Sequence, residues 1–437
     1  MIRWTRLALL GGTARAIFAR ALSILSSFLL TILVARLLGV EAAGSFFLAF
    51  TTLAVVATFG RFGADNLALK ICGGEPERIR TELGYSAAMA AIAGVSGAGL
   101  TYLLLLLSHF TLPGMAVEWI PLVLSAAIPQ AFAVIAGSVL RGRGRLGLGI
   151  IAELGSIPTL SIVFLLILRA AGLLSLTSAL ISLVAASWLT ALWAVILAVA
   201  TIGKVSEMAP RSDVLNFRSF FGSRFRQLSS MMGTSLLFYI LTWAPLYALS
   251  IASSLVNVSY YTTAARFANI VALVPAIQVA YLSPAFARHF QRHEIGELNA
   301  LAQRAVRQAA LLLLIPVAML LLAAPLIIRL LYGTAYAPAA LPLAILSVGV
   351  FLVALAGQVN QLMLLCDLES HALIMSAFLA AIWATLGLWV ASQFGATGVA
   401  WFGAAAGTLY AMSAAWLLAS RRGIRSGLML ARPLRTA

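Results

Sequence analysis

Apolar residues fill almost the whole chain in twelve long stretches, and short polar segments separate them. The stretches occupy residues 14–38, 42–62, 84–108, 118–140, 147–169, 173–201, 229–252, 258–282, 308–331, 337–365, 370–393 and 395–419. Each can cross the hydrocarbon core of a bilayer, which is about 30 Å thick and needs about 20 apolar residues. Because lipid offers the backbone no hydrogen-bonding partner, each stretch must be a helix. We therefore predict an all-α polytopic membrane protein with about 12 transmembrane helices.

Composition and charge agree with this class of protein. Hydrophobic residues make up 62% of the chain and charged residues only 10%, more apolar surface than a soluble core could cover. The formal net charge is +16, and the basic residues gather in alternate segments between spans, which should face the cytoplasm. We therefore predict that both termini are cytoplasmic. The charge then serves orientation and contact with anionic membrane lipids, and nucleic acid is not an expected partner.

Residues after about position 210 resemble a diverged second copy of those before it. Pro121-Leu122 in the fourth span, for example, matches Pro342-Leu343 in the tenth. An even number of spans per copy starts both copies on the same side of the membrane, so we predict two parallel six-helix pseudo-repeats with the cargo between them.

The repeat divides the chain into four predicted segments. These are an N-terminal six-helix bundle (1–201), a cytoplasmic connector (202–228), a C-terminal six-helix bundle (229–419) and a basic cytoplasmic tail (420–437). Phenylalanine alternates with arginine in the connector, which suits an amphipathic helix lying on the inner leaflet. A plain linker is the alternative.

Arginines inside spans are few, and ionisable groups at this depth normally face a bundle interior or a watery cavity. Arg20 lies in the first span, Arg61 at the inner end of the second and Arg266 in the eighth. A guanidinium stays charged and donates paired hydrogen bonds to phosphate, so we predict that these side chains form a cationic path for an anionic cargo. Alternatively, Arg61 is neutralised by Asp65, four residues further on along one helical face, and Arg20 snorkels to headgroups.

Glu153 in the fifth span is the clearest carboxylate at membrane depth. It could couple transport to protons by titrating, or it could pair with a nearby arginine, and Asp65 is open to the same two interpretations.

Four amide side chains lie on the corresponding fourth and tenth spans. They are Gln130, Gln358, Asn360 and Gln361. Such groups can hydrogen-bond the hydroxyls of a sugar, and they can equally hydrogen-bond a neighbouring helix.

Motifs for nucleophilic catalysis, nucleotide binding and metal ligation do not occur in the sequence. A membrane glycosyltransferase or polymerase would need catalytic side chains on sizeable extracytoplasmic loops, and the loops predicted here are short. We therefore predict no catalytic residues, no metal site and no cofactor.

Four segments resemble a known family. The stretch ILVARLLGVEAAGSFFLAFTTLAVVATFGRFGADNLALK, from Ile32 to Lys70, resembles the N-terminal signature of the Wzx-type polysaccharide and O-antigen flippases of the MOP exporter superfamily. The segments VSYYTTAARFANIVAL from Val258, LLYGTAYAPAALPLAIL from Leu330 and FGATGVAW from Phe394 resemble the family's pattern at the corresponding spans. The resemblance therefore extends over nearly the full length.

The resemblance implies a V-shaped pair of six-helix bundles around a central cavity that opens alternately to the two sides of the bacterial inner membrane. The implied cargo is an undecaprenyl-pyrophosphate-linked oligosaccharide, carried for synthesis of O-antigen, lipopolysaccharide or exopolysaccharide. A monomer is expected, with polymerase and chain-length proteins of the same pathway as possible partners. The alternatives are a MATE-like small-molecule exporter and a lipid II flippase, although lipid II flippases typically carry two further C-terminal helices.

Overall fold

A computed structural model describes residues 2–72, 91–92, 95–99, 102–103, 120–206 and 217–427 of the protein. All regular structure in these residues is helical, and no strand occurs among them. The predicted all-α, multi-pass architecture is confirmed. The chain divides into two compact units, Met1–Ile240 (unit 1) and Leu241–Ala437 (unit 2).

Unit 1 is built from long apolar helices joined by tight turns. They are α1 (Ile2–Leu38), α2 (Val40–Arg61), α3 (Ala64–Cys72), α4 (Ile120–Ser125), α5 (Ala127–Gly142), α6 (Leu146–Ile150), α7 (Ser156–Ala170), α8 (Leu176–Ser206) and α9 (Phe217–Ala252), which ends in unit 2. A π-helical turn, Ile151–Gly155, joins α6 to α7. Small residues such as Ala64, Ala68, Ala136 and Ala194 form much of the packing core, which lets the helices approach closely.

Unit 2 repeats this style. Its helices are α10 (Leu255–Val271), α11 (Leu273–Gln291), α12 (Ile295–Tyr332), α13 (Ala340–Ala356), α14 (Val359–Leu365), α15 (Glu369–Ile382) and α16 (Leu388–Arg422). A 3-10 turn, Thr334–Ala339, precedes α13, and a second π-helical turn, Trp383–Gly387, joins α15 to α16.

Eight helical segments of the described chain are long and apolar enough to cross a membrane, and α10 with the start of α11 forms a ninth, bent by 45°. Each coincides with a predicted span. The segment Glu369–Arg422 contains the two spans predicted last, and Gly395 separates them with a non-helical backbone (φ 56°, ψ −146°). The predicted span 84–108, like connector residues 207–216 and tail residues 428–437, lies wholly or largely outside the described residues.

Two local expectations are wrong. The charged segment 285–307 follows the eighth predicted span, and its sequence predicts a cytoplasmic loop. It is instead helical except for the turn at 292–294, because α11 and α12 both extend beyond the apolar spans. Arg61 and Asp65 do not share one helical face, because α2 ends at Arg61 and α3 begins at Ala64. Phe62 (φ 47°) and Gly63 (φ 73°) are both left-handed there and separate the two helices.

The second half of the connector is the beginning of α9. Gly63 lies against this helix so closely that a Cβ atom there would be 2.7 Å from the carbonyl oxygen of Leu228. Glycine is therefore required at position 63 for its backbone angle and for this approach. The contact places α9 beside the turn that carries Arg61.

Candidate functional site

The α2–α3 turn of unit 1 presents a buried ion pair. Arg61 Nη1 lies 3.2 Å from Asp65 Oδ2, and the two side chains are 9% and 15% exposed. Arg61 Nη2 also donates a hydrogen bond of 2.6 Å to Thr58 Oγ1. The guanidinium lies over the ring of Tyr239 from α9, 5.7 Å from its centroid, in a cation–π contact. Three kinds of contact thus hold Arg61 in one position.

A second ion pair joins α5 to the first π turn. Arg141 Nη2 lies 3.0 Å from Glu153 Oε2. The pair depends on two glycines: a Cβ at Gly137 would lie 2.8 Å from the carbonyl oxygen of Gly149, and a Cβ at Gly149 would meet the backbone of Gly137. Because neither residue has a side chain, the two helices cross closely enough for Arg141 to reach Glu153.

The two ion pairs belong to one electrostatic cluster. Arg61, Asp65 and Arg20 all act on the Glu153 carboxylate in addition to its partner Arg141. Arg20 is exposed on α1. With three guanidiniums against two carboxylates, the cluster keeps one positive charge in excess when both acids are ionised. We call these five residues the charge cluster.

Unit 2 contains a cavity of about 560 Å³. It is lined by residues of α9 to α11, α13 to α16 and the second π turn, among them Pro245, Pro275, Tyr261, Gln358 and Trp383. None of the described residues that line this neutral cavity carries a charge.

The four predicted amides fall into two groups. Gln130 is buried and donates a 3.1 Å hydrogen bond to Ser187 Oγ, so it joins α5 to α8. Gln358 donates to the carbonyl oxygen of Pro275 (3.2 Å) and to Gln278 Oε1 (3.3 Å).

The other two predicted amides, Asn360 and Gln361, also line the cavity. Their side chains form no hydrogen bond with any other described part of the protein. These two amides are therefore open to a ligand, whereas the first two already bond neighbouring helices.

Arg266 lies on α10 in an aromatic environment. The neighbouring Phe267 and Tyr332 have ring centroids 6.1 Å apart, and the Arg266 charge interacts with Tyr332. Tyr332 in turn packs against Tyr336, whose hydroxyl is 3.0 Å from Ser259 Oγ. Arg266 is not among the residues that line the neutral cavity.

The structure thus brings Arg20, Arg61, Asp65 and Glu153 together in unit 1, and Gln358, Asn360 and Gln361 together in unit 2. Contact of any of them with a cargo stays a prediction. Sequence reasoning missed three neighbours of these residues. They are Arg141, Tyr261 and Trp383.

One of these omissions had a usable signal. Arg141 precedes Glu153 by one tight helical hairpin whose two arms carry Gly137 and Gly149. Glycines that face each other in paired helices indicate close approach, so the pairing could have been found. Tyr261 and Trp383 gave no such signal, because an aromatic residue in an apolar span is typical of a packing core.

No family model matches the chain, and no curated protein matches it. Solved structures do. A multidrug resistance MATE family transporter of the MOP superfamily, in an inward-facing conformation, has a TM-score of 0.69 at 16% identity, over 90% of this chain and 92% of that one. The lipid II flippase MurJ, in an inward closed conformation, has a TM-score of 0.68 at 15% identity, over 94% and 87%. A mutant of the Vibrio cholerae MATE transporter VcmN has a TM-score of 0.62 at 17% identity, over 97% of each chain.

These similarities extend over nearly the whole of each chain. The protein therefore has the fold of the MOP superfamily transporters, and it is a multi-pass membrane protein.

Proposed function

We propose that the protein flips an undecaprenyl-pyrophosphate-linked oligosaccharide across the bacterial inner membrane by alternating access, for the synthesis of a surface polysaccharide. The termini lie in the cytoplasm. Polymerase and chain-length proteins consume the cargo on the far side, and the protein works as a monomer.

The observation that carries this proposal is the positive charge excess of the charge cluster. Ionisable groups at membrane depth are costly, and those that persist usually serve the transported species. Asp65 and Glu153 are both paired with arginines, so the cluster offers no free carboxylate to a cationic cargo. The additional charge of Arg20 favours an anion, and Arg266 adds a cation in unit 2. A pyrophosphate suits these groups because a guanidinium forks onto two phosphate oxygens.

The helices contain features that suit a moving transporter. Proline lies within α9 at Pro245 and within α12 at Pro316 and Pro325, and each unit has a π turn in a spanning segment. Such interruptions are common points of bending in membrane helices. They support a mechanism in which parts of the helices tilt as the transporter opens to one side and then the other.

A MATE-like exporter of small molecules is the second candidate, favoured by the similarity to the multidrug transporter. A lipid II flippase is the third, favoured by the similarity to MurJ. Both share the proposed fold and differ in cargo, so the test must report on the cargo.

The test is complementation of a host that lacks its own oligosaccharide flippase. We expect wild-type protein to restore surface polysaccharide, and Arg266→Ala and Arg20→Ala each to lower it about tenfold, since a lost charged hydrogen bond costs about 1.5–3 kcal/mol. Arg329→Ala serves as the matched control because Arg329 is exposed at the end of α12. Membrane levels of each variant are measured by immunoblot.

Two readouts separate the candidates. Ethidium efflux by wild-type protein without restoration of polysaccharide would favour the MATE-like exporter. Rescue of a strain depleted of its lipid II flippase would favour the third candidate. Full polysaccharide in both arginine variants would overturn the role of the cationic groups.

A further inference from the structure

Trp383 is held in one orientation at the wall of the neutral cavity. It begins the second π turn and is 6% exposed. The ring of Phe402 meets it edge-on, with centroids 4.8 Å apart and planes at 85°. A Cβ at Gly387 would lie 2.5 Å from Trp383 Cε3, and one at Gly403 would lie 3.6 Å from Cζ2. The indole therefore packs on Phe402 and two glycines, which hold it in one orientation.

Polar residues line the same cavity as Trp383. Tyr261 lines the cavity, is 9% exposed, and its hydroxyl forms no hydrogen bond within the described chain. This hydroxyl lies 3.9 Å from the position of a Cβ at Gly403, so it shares the neighbourhood of the indole. Asn360 and Gln361 add two amides without protein partners. Buried polar groups are normally hydrogen-bonded, so the Tyr261 hydroxyl points to a ligand that supplies a partner. Asn360 is exposed and Gln361 is half-buried, so both amides are accessible to the same ligand.

The ligand must be uncharged. The described lining has no arginine, lysine, aspartate or glutamate, and apart from the Gln358 amide its other members are apolar. The volume of about 560 Å³ falls within the range of about 300–1,000 Å³ that is usual for small-ligand sites. An aromatic face with a hydroxyl and two amides suits a sugar, whose C–H face stacks on a ring while its hydroxyls both donate and accept hydrogen bonds.

We propose that this cavity binds the uncharged glycan portion of the cargo, with Trp383 as the stacking face and Tyr261, Asn360 and Gln361 as its hydrogen-bonding groups. The identification of the glycan as cargo rests on the proposed function. The assignment of an uncharged, hydroxyl-bearing ligand to the cavity does not.

Gln358 is a positioning residue in this site. It follows Gly357, whose φ of 92° ends α13, and it precedes α14, which carries Asn360 and Gln361. Its amide donates to Pro275 and Gln278 on α11. These hydrogen bonds hold the turn between α13 and α14 in place. That turn sets the positions of Asn360 and Gln361.

The experiment uses full-length protein in nanodiscs of phosphatidylethanolamine and phosphatidylglycerol. The probe is dodecyl maltoside with a benzophenone in its alkyl chain. A matched probe has the same chain and a tetraethylene glycol head, which is uncharged but has no stacking face. Crosslinked peptides are located by mass spectrometry, and apparent affinity is read from the concentration dependence of crosslinking.

We expect the maltoside probe to label unit 2 peptides from α13 to α16. Trp383→Leu should weaken its apparent affinity roughly fivefold, the scale of one good aromatic contact. Tyr261→Phe should do so by a similar factor, since a neutral hydrogen bond contributes about 1 kcal/mol. Trp401→Leu and Gln393→Ala are the matched controls, because both residues are exposed and neither lines the cavity. The glycol probe should respond to none of these changes.

Gln358→Ala tests positioning. Combined with the Asn360→Ala/Gln361→Ala double variant, Gln358→Ala should weaken maltoside binding little further. The reason is that all three substitutions remove the same two contacts with the probe. Thermal unfolding of each variant in detergent reports whether it still folds, and Trp383→Phe, which keeps a stacking face, should restore most of the affinity.

Equal maltoside affinity in folded Trp383→Leu and Tyr261→Phe would overturn the proposal. An equal response of the two probes would also overturn it, since the cavity would then recognise the alkyl chain. Failure of wild-type protein to restore surface polysaccharide, together with maltoside binding that depends on Trp383, would overturn the proposed function and leave the cavity assignment standing. Restoration of surface polysaccharide, together with maltoside binding that does not depend on Trp383, would overturn the cavity assignment and leave the proposed function standing.

Discussion

The two π turns have the same kind of backbone, but one lies among charged side chains and the other lies at an uncharged cavity. One follows the five residues of α6 in the fifth predicted span, and the other follows the 14 residues of α15 in the eleventh. The first presents Glu153 to Arg141 on the fourth span. The second presents Trp383 to a cavity that contains Asn360 on the tenth. Each unit thus has a π turn within a spanning segment, one beside charged side chains and the other beside neutral ones.

Under the proposed function, this contrast predicts that the two regions bind different parts of one cargo. A lipid-linked oligosaccharide has an anionic pyrophosphate and a glycan, and no single environment suits both. Arginines in a low-dielectric region bind phosphate well, whereas amides and an indole leave a neutral glycan free to dissociate. The predictions below test whether the two regions differ in the way this division requires.

The largest expected effect is from Arg61→Leu. It leaves Asp65 buried without its partner, and removing one member of a buried pair costs about 3–5 kcal/mol. We expect a lower midpoint of thermal unfolding in detergent and no surface polysaccharide. Removing both charges, in Arg61→Leu/Asp65→Leu, should recover much of the stability and none of the transport. An unchanged midpoint of thermal unfolding in Arg61→Leu would contradict the burial of the Arg61–Asp65 ion pair.

How far the sequence predicts the molecule depends on the kind of interaction. Spans followed from apolar runs, because the bilayer imposes their length and their helical backbone. The pairing of Arg61 with Asp65 also followed from spacing, but its backbone did not. Phe62 adopts a left-handed conformation that phenylalanine rarely takes, and its neighbour Gly63 lies against α9.

The sequence predicted only some of the residues that line the neutral cavity. Asn360 and Gln361 stood out as polar residues in an apolar span. Trp383 and Tyr261 did not, because their availability depends on which helices pack around them and where glycine leaves room. That information is tertiary, and no local pattern contains it.

A smaller effect is expected from Gly387→Ala, which forces a methyl group into the Trp383 ring. Overpacking of this kind costs about 1–3 kcal/mol, and the displaced indole should weaken maltoside binding. Gly233→Ala is the matched control, because nothing lies within 4 Å of a Cβ at that helical glycine. Retention of wild-type maltoside affinity in Gly387→Ala would mean that the ring orientation does not matter.

A still smaller effect is expected when the Arg141–Glu153 pair is replaced by amides in Arg141→Gln/Glu153→Gln. These side chains are 28% and 21% exposed, so solvent screens the pair, and we expect a stability loss of about 1 kcal/mol or less. The substitution makes the first π turn as neutral as the second but leaves the excess charge of the cluster unchanged. Surface polysaccharide should stay within about twofold of wild type, in contrast to Arg20→Ala. A loss as large as that of Arg20→Ala would show that the pair itself is required.

The smallest effect is expected from single cysteines introduced to map orientation. Arg145→Cys and Arg292→Cys should react with a membrane-impermeant maleimide only from the cytoplasmic side, and Ser253→Cys and Gln393→Cys only from the other. Labelling in the reverse sense would contradict the predicted topology.

The native cysteines provide the blank for that experiment. Cys72 and Cys366 are both buried. Burial raises the pKa of the Cys72 thiol and raises that of Cys366 to about 11, so little reactive thiolate exists at pH 7. Wild-type protein should label very slowly at pH 7 and faster as pH rises.

The most direct test of the cationic route is translocation in proteoliposomes that contain full-length protein and the host's undecaprenyl-pyrophosphate-linked oligosaccharide. The measured quantity is the fraction of glycan that becomes accessible to membrane-impermeant periodate over time. We predict that wild-type protein exposes the inner-leaflet pool, that Arg266→Ala does so about tenfold more slowly, and that Arg329→Ala matches wild type. The account would be contradicted if glycan became accessible no faster in wild-type vesicles than in protein-free vesicles. It would also be contradicted if glycan became accessible as fast with Arg266→Ala as with wild type.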